Sequence, residues 1–272
     1  MNTLPKITVV TVTYNAEKCL EETIQSIINQ TYLNIEYIVI DGGSKDGTID
    51  IIKKYAAHID YWVSEPDKGV YDAMNKGIDK ATGKWINFMN AGDYYYSNTV
   101  LLNLFNKNIP EDVMVYYGDT IKRYDFGDIL LSKNKKRNND PIMPFCHQSV
   151  FVKIEILQKY KFDIQYQILA DRDLFYRIKK DGNIYKNSSI IVSVFDAQYG
   201  LSSIHRMKAA LECLKIYHKE QKFYYLCCKF LIYVRFKFTH IVKYILPMTV
   251  ILHIRKFKNR KKLYQSNCSN SF

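Results

Sequence analysis

The chain has 272 residues, enough for one large domain with an appendage or for two small ones, and 47% of them are hydrophobic, enough for a substantial core. Its net charge of +12 is concentrated: residues His205 to Phe272 hold 15 Lys+Arg against 2 Asp+Glu, a local +13, and the other 204 residues carry −1. A neutral body excludes a nucleic-acid-binding core, and six cysteines with no C-x-x-C pair or zinc spacing exclude a zinc framework and read as free thiols in a reducing cytosol.

The N-terminus runs straight into a strand, without a signal-peptide pattern. Ile7 to Val12 is a short β-branched run, read as a buried parallel strand. Glu17 to Gln30 sets Leu20, Ile24, Ile27 and Ile28 on one helical face. A second strand, Glu36 to Ile40, runs into Asp41-Gly42-Gly43-Ser44, and Thr48 to Ala57 follows as a helix. Tyr61 to Val63 is a third strand, Val70 to Lys80 a third helix, and Trp85 to Met89 a fourth strand leading to the carboxylate of Asp93. This alternation predicts right-handed βαβ units and an α/β fold. After Asp93 the pattern loosens into a helix at Thr99–Asn106, a strand at Val113–Tyr117, a basic loop at Ser132–Asp140, a helix at Asp173–Lys180 and a strand at Ile190–Val194.

Four segments carry candidate chemistry. Thr11-Val12-Thr13-Tyr14-Asn15 ends the first strand, where Tyr14 can stack on a base; an ordinary strand end with an Asn turn explains it as well. Asp41-Gly42-Gly43-Ser44-Lys45-Asp46-Gly47-Thr48 has glycines for a sharp turn beside a ligand, and Asp41 is placed to accept the imide N–H of uracil. The competing account is a polar loop whose Asp46 or Thr48 caps the next helix. Ser64 to Gly77, followed by Asn90-Ala91-Gly92-Asp93, brings Lys68 as a mobile charge for phosphate, Asn75 for ribose or phosphate, and Asp93 as a metal ligand at the ligand-binding edge of the sheet. Leu169-Ala170-Asp171-Arg172-Asp173 offers a carboxylate to take a proton from an acceptor hydroxyl, although acidity at a helix start is common for structural reasons. Asp171 is the first candidate and Asp173 the next. His147 is a possible acceptor or phosphate contact, and equally a structural histidine.

Together and in this order, these segments resemble the family-2 glycosyltransferases, and within them the bacterial surface-polysaccharide enzymes (colanic acid, O-antigen, capsule) that carry an S-E-x-D-x-G-x-Y-D-A-M-N-K-G string. The resemblance spans roughly residues 5 to 205. It implies a GT-A fold, a mostly parallel Rossmann-like sheet flanked by helices. It also implies an inverting transfer of one sugar from a nucleotide-diphosphate sugar, a UDP-sugar, to a lipid-linked acceptor with the help of Mn²⁺ or Mg²⁺. Carried over, Thr13, Tyr14 and Asp41 hold the nucleotide, Asp93 holds the metal, and Asp171 stands where the base lies. Two departures stand out: Asn90 and Gly92 fill positions usually carboxylate, and Ala170 replaces a Glu before the base. The processive synthases' Q-x-x-R-W string is absent, which favours transfer of a single sugar. The thinned acidic motif leaves open a nucleotide-sugar-binding protein with impaired catalysis. No G-x-G-x-x-G follows the first strand, against a dinucleotide dehydrogenase.

The domain reading is a catalytic domain over 1–204, a basic amphipathic helical tail over 205–264 and a disordered end over 265–272. In the tail, Lys222, Lys229, Lys237, His240 and Lys243 form a basic arc, with Tyr225, Val234, Phe236, Ile241 and Ile245 opposite and Arg235 as the exception. No run of about 18 residues is free of charge, so the tail is read as lying on an anionic membrane surface and not crossing it; the competing account is a solvated helix packed back on the catalytic domain. Pro247 ends this helix, and a cationic cluster follows at 255–262. The resulting location is cytoplasmic, peripheral on the inner face of a bacterial membrane, with no nucleic-acid partner.

Overall fold

A computed structural model of the chain describes residues 4–124, 127–132, 142–196, 205–218 and 222–245. The basic loop at 133–140, Pro247, the 255–262 cluster and the 265–272 end lie outside these residues. Two compact units emerge, one of residues 1–122 and 130–196, the other of residues 123–129 and 197–272.

The first unit is built on strands β1 (Ile7–Thr13), β2 (Ile35–Asp41), β3 (Tyr61–Ser64), β4 (Trp85–Phe88), β5 (Asp93–Tyr95), β6 (Val113–Arg123), β7 (Ile129–Leu131), β8 (Val150–Lys153) and β9 (Ile184–Asp196). Every residue of β1 is buried. It lies between β2 and β4, both parallel to it, and β3 continues the parallel set beyond β2. The spatial order is β3-β2-β1-β4-β8-β6-β9-β5, with β7 pairing to β6 off this path. β8 pairs antiparallel with β4 and β6, and β5 antiparallel with β9. The half of the sheet made of β3, β2, β1 and β4 is thus parallel, as the strand–helix alternation predicts, and the far half is antiparallel, where the alternation fades.

Both faces of the sheet are covered, as a parallel sheet requires. On one side α1 (Leu20–Ile28), α2 (Thr48–Lys54) and α4 (Val100–Phe105) join Ile7, Val9 and Val39 in a core with Trp85, Tyr116 and Phe151. α3 (Val70–Lys80) packs against β1 and β2, and α5 (Ile154–Tyr160) against β8 and α6 (Ala170–Lys180). α3 lies so close to β1 that a Cβ on Gly77 would sit 2.5 Å from Cγ1 of Val10. At the N-terminal end of β2, buried Glu36 accepts hydrogen bonds from Thr8 Oγ1, Thr82 N and Oγ1, and Lys6 Nζ. Burial opposes its charge, yet these donors hold its pKa at about 2.

Several boundaries differ from the sequence reading. α1 begins at Leu20 and not at Glu17, because Glu17 is committed to the neighbouring loop: its carboxylate accepts Gly47 N at 2.9 Å and its N–H donates to Asp46 at 3.2 Å. α2 stops at Lys54, and a 3-10 turn spans Ala56–His58. Asp93 does not end β4; a turn intervenes and Asp93 opens the short β5 opposite Phe195. β9 runs thirteen residues, well past the expected Ile190–Val194, and the polar run at 186–189 hides its first half from apolar patterning.

In the second unit, α7 (Arg206–His218) and α8 (Lys222–Ile245) pack on each other. Among the described residues no helix is long and apolar enough to cross a membrane. The structure also rearranges the faces read from sequence. Tyr225 and Phe236 fall with Cys228 and Ile232 on the less exposed face of α8, whereas Val234 is on the open side. The side chains of residues 222–224 and 238–245, which include Lys222, His240, Ile241, Lys243 and Ile245, lie outside the description.

Candidate active site

At the C-terminal end of the parallel strands, Thr13 and Asp41 are register partners, and Gly42 N donates to Thr13 O at 2.9 Å. The hydroxyl of Thr13 is buried and unpartnered. Asn15, with φ of 48°, donates its N–H to Ser44 Oγ and accepts Lys45 N at 2.8 Å, which ties the first loop to the second. Tyr14 is left on the rim, 62% exposed.

Asp41 is placed differently from the direct imide contact read from the sequence. It is fully buried. Oδ2 accepts Gly43 N at 3.0 Å, Ser44 N at 2.9 Å and Ser64 Oγ at 2.6 Å, and Oδ1 accepts Ser44 Oγ. Its work is to fold the glycine turn and fasten it to β3. The carboxylate that reaches the rim is Asp67. A Cβ on Gly42 would meet Asp67 Oδ2 at 2.6 Å and the Tyr14 ring at 3.3 Å, so glycine is what lets these two groups close over the turn. Asp67 Oδ1 is steadied by Gly69 N at 2.7 Å. Asp67 is not among the residues singled out from the sequence; its D-x-G spacing to Gly69 is the signal that marks it.

Lys68 is exposed at the entrance to α3, with its N–H on Asp72 Oδ2 at 3.0 Å. Asn75 lies further along α3. Its amide donates to Phe162 O and accepts Phe162 N, both at 2.9 Å, and so pins the chain after α5 to α3. Both of its polar atoms thus have a structural task, beside the ribose or phosphate contact read for it from the sequence.

The remaining candidates converge on His147, in the 3-10 turn His147–Ser149 that leads into β8. Its Nε2 lies 3.9 Å from Asp93 Oδ2 and 3.2 Å from Asn90 Nδ2, and its Nδ1 lies 4.0 Å from Asp171 Oδ2. One imidazole thus separates the two carboxylates. Burial lowers its pKa below the ordinary histidine value and the charge of Asp171 opposes this, so the ring is neutral at pH 7. Burial pushes Asp93 up to about 8, against a hydrogen bond from Gln148. Asn90 Oδ1 is buried with no partner. An isolated buried carboxylate beside an orphaned amide oxygen fits a divalent cation that draws further ligands from a bound diphosphate. Among the described residues no three His, Cys, Asp or Glu side chains form a ready-made cage.

Asp171 lies in the first turn of α6. Its Oδ1 accepts Arg172 N at 2.8 Å and faces the Tyr71 hydroxyl at 3.3 Å; that hydroxyl also donates to Ile168 O at 2.8 Å. Oδ2 is left toward His147. Asp173, the next candidate, is bound by Arg177 Nε at 2.8 Å, and the same guanidinium donates to the carbonyls of Tyr160 and Lys161. An apolar pocket lined by Met74, Phe88, Leu157, Phe162 and Leu174 backs Asp171 and His147. Cys146, next to this site, is held as a thiol by burial.

The chain resembles known proteins over most of this architecture. A "PGL/p-HBAD biosynthesis glycosyltransferase" of Mycobacterium bovis is 28% identical over 216 residues, covering 73% of this chain and 80% of that protein. An uncharacterized glycosyltransferase of Rickettsia typhi is 26% identical over 224 residues, covering 75% and 69%. Among solved structures, a mannosyltransferase from Pyrobaculum calidifontis in complex with GDP-Man and Mn²⁺ superposes with a TM-score of 0.65 at 20% identity, over 81% of this chain and 65% of that one. S. aureus TarS 1–349 in complex with UDP gives 0.62 at 16%, over 78% and 64%. These two share the GT-A fold, and this chain spans a little under two thirds of their length. Residues 8–161, from the buried β1 to the chain that Asn75 pins, match the model of Glycosyl transferase family 2, and the chain belongs to that family of transferases.

Proposed function

We propose that this glycosyltransferase moves one sugar, with inversion, from a nucleotide-diphosphate sugar to a hydroxyl of a lipid-linked glycan in bacterial surface-polysaccharide synthesis. The observation that carries the reading is the pair of carboxylates, Asp93 and Asp171, about 4 Å from opposite nitrogens of one neutral imidazole. One is buried and uncompensated, the other is steadied on one oxygen and open on the other.

The nucleotide is read as UDP, its base stacked on Tyr14 and its imide N–H donated to Asp67 above the Gly42 turn. Thr13 and Asp41 shape that turn. Lys68 meets phosphate oxygens as a mobile charge. Asp93 and Asn90 would hold a Mn²⁺ or Mg²⁺ ion. When bound, such a cation offsets negative charge on the diphosphate. Asp171 Oδ2 takes the proton of the acceptor hydroxyl as that oxygen bonds to the anomeric carbon. The bond from that carbon to the diphosphate breaks on the opposite face, which inverts the centre. Tyr71 and Arg172 N hold Oδ1 so that Oδ2 keeps its aim. The apolar pocket behind keeps the dielectric low, where oriented groups act most strongly. His147 spaces the two carboxylates and is placed to donate Nδ1–H to the acceptor or to Asp171. The chain works in the cytoplasm, peripheral on the inner face of the membrane, where a lipid-linked acceptor is found.

The test is a panel of UDP- and GDP-sugars with Mn²⁺, read by nucleoside diphosphate release with and without membrane extract from a polysaccharide-producing bacterium. Release from one donor that rises with extract is expected. Donor binding with no release under any condition would instead support a binding protein of the same fold.

A further inference from the structure

α8 has two apolar faces. Tyr225, Cys228, Ile232 and Phe236 recur every three or four residues and are the less exposed side chains of the described stretch. The other side is open. Leu226 is 61% exposed, Phe230 67%, Leu231 64%, Tyr233 51% and Val234 47%. At about 100° per residue these five cover an arc of roughly 160°. Lys229 and Arg235 mark its two borders. Lys237 falls within the arc, but its ammonium lies over the Tyr233 ring at 5.3 Å, and that of Lys229 over Tyr225 at 6.0 Å. An open apolar stripe of this size is rare on a soluble helix.

We propose that this stripe is a membrane-docking face, inserted into the headgroup–acyl boundary of an anionic bilayer, with Lys229, Arg235 and Lys237 snorkelling to lipid phosphates. Charge selects the occupant. The region from His205 onward carries +13, so a second copy of the face would set its bordering cations against like charges. An anionic bilayer meets both features at once, with hydrocarbon for the stripe and phosphates for its borders. This face gives the proposed membrane location its physical basis and rests on that reading; it uses no residue of the catalytic site, so vesicle binding and sugar transfer are tested separately.

The test uses the full chain and flotation with phosphatidylcholine vesicles, with or without phosphatidylglycerol. Wild type should float with the anionic vesicles and only weakly with neutral ones. Salt should weaken binding without abolishing it, because insertion of the apolar stripe is not screened. Phe230→Glu with Leu231→Glu should lower partitioning about tenfold or more, since two apolar insertions are lost and two repelled charges are added. Both positions are exposed, so the melting temperature should hold. As a second measurement, Phe230→Trp should shift its emission to the blue on anionic vesicles and be quenched by brominated lipid. Unchanged flotation of the double variant, or unshifted Trp emission, would overturn the proposal. So would a dimer that only the double variant dissolves, which would assign the face to a second copy. Binding of duplex DNA as tight as that of vesicles, and indifferent to the double variant, would assign the tail to nucleic acid.

Discussion

Asp41 and Asp67 separate two accounts of how this chain holds a nucleotide. Asp41→Ala removes a buried carboxylate that satisfies the backbone N–H groups of Gly43 and Ser44 and the hydroxyl of Ser64. Each hydrogen bond to a charged acceptor is worth about 1.5–3 kcal/mol. The two backbone donors alone therefore cost about 3–6 kcal/mol when stranded. At about 2–4 °C per kcal/mol for a unit of this size, the apo protein should melt on the order of 10 °C lower. Asp67→Ala strands only the N–H of Gly69 at an exposed turn, so its melting temperature should stay within about 2 °C of wild type. It should, however, lose the charge-assisted bond to the base, raising the Kd for UDP about 10–100-fold. The assay is a thermal melt of each apo variant beside calorimetric titration with UDP and Mn²⁺. If Asp41→Ala melts like wild type and yet loses UDP, the buried-turn argument fails and the imide contact returns to Asp41. If Asp67→Ala binds UDP normally, the base is read elsewhere.

Asp171→Asn should lower turnover by about 10²–10⁴-fold, the usual worth of a positioned base, while calorimetry shows the donor Kd nearly unchanged. Asn75→Ala should cost about 1–3 kcal/mol of stability by freeing both backbone groups of Phe162, with UDP affinity kept in the fraction that remains folded at 25 °C. Glu36 has a folded pKa of about 2 against an ordinary value of 4.5, so its stabilisation is full above the ordinary value and is lost as pH falls from 4.5 toward 2. Glu36→Gln should therefore lower stability by about 3 kcal/mol at pH 7 in urea titrations, and the variant should show a flatter acid limb.

The parallel half of the fold was legible because β1, β2 and β3 are short apolar runs each followed by a polar loop and a helix, and β4 is a fourth such run after α3. The antiparallel half was less so. β9 opens with Ile184 and Tyr185 but then runs through Lys186, Asn187, Ser188 and Ser189, which carry no apolar alternation. The site was legible at Asp93, His147 and Asp171 as candidates, and their meeting was not, since residues 93, 147 and 171 meet only through strand order. Asp41 and Asn75 show a second limit. A polar residue in a motif can serve the ligand or the backbone that shapes the ligand's site, and sequence spacing is the same for both. Tyr71 was invisible for a related reason: a phenol that orients a carboxylate one hundred residues away leaves no local pattern.

The acidic motif can be argued from charge. Asn90 stands where a second carboxylate is usual, and Asp93 is left alone, its carboxyl pushed by burial to a pKa of about 8, so that it can supply at most one negative charge once a cation draws off its proton. One charge is a weak hold on a divalent ion, which needs several oxygen ligands. A diphosphate brings its own oxygens and charge, so cation and nucleotide should each complete the other's site. By linkage, Mn²⁺ then raises UDP affinity by the same factor that UDP raises Mn²⁺ affinity. Mn²⁺ titrations read by electron paramagnetic resonance should show weak binding alone and tight binding with UDP. Asn90→Asp adds a carboxylate on the Asp93 side of His147 and should strengthen nucleotide-free Mn²⁺ binding while shrinking that factor. Equal Mn²⁺ affinity with and without UDP in the wild type would show that the protein holds the ion unaided, and the charge argument would fall with it.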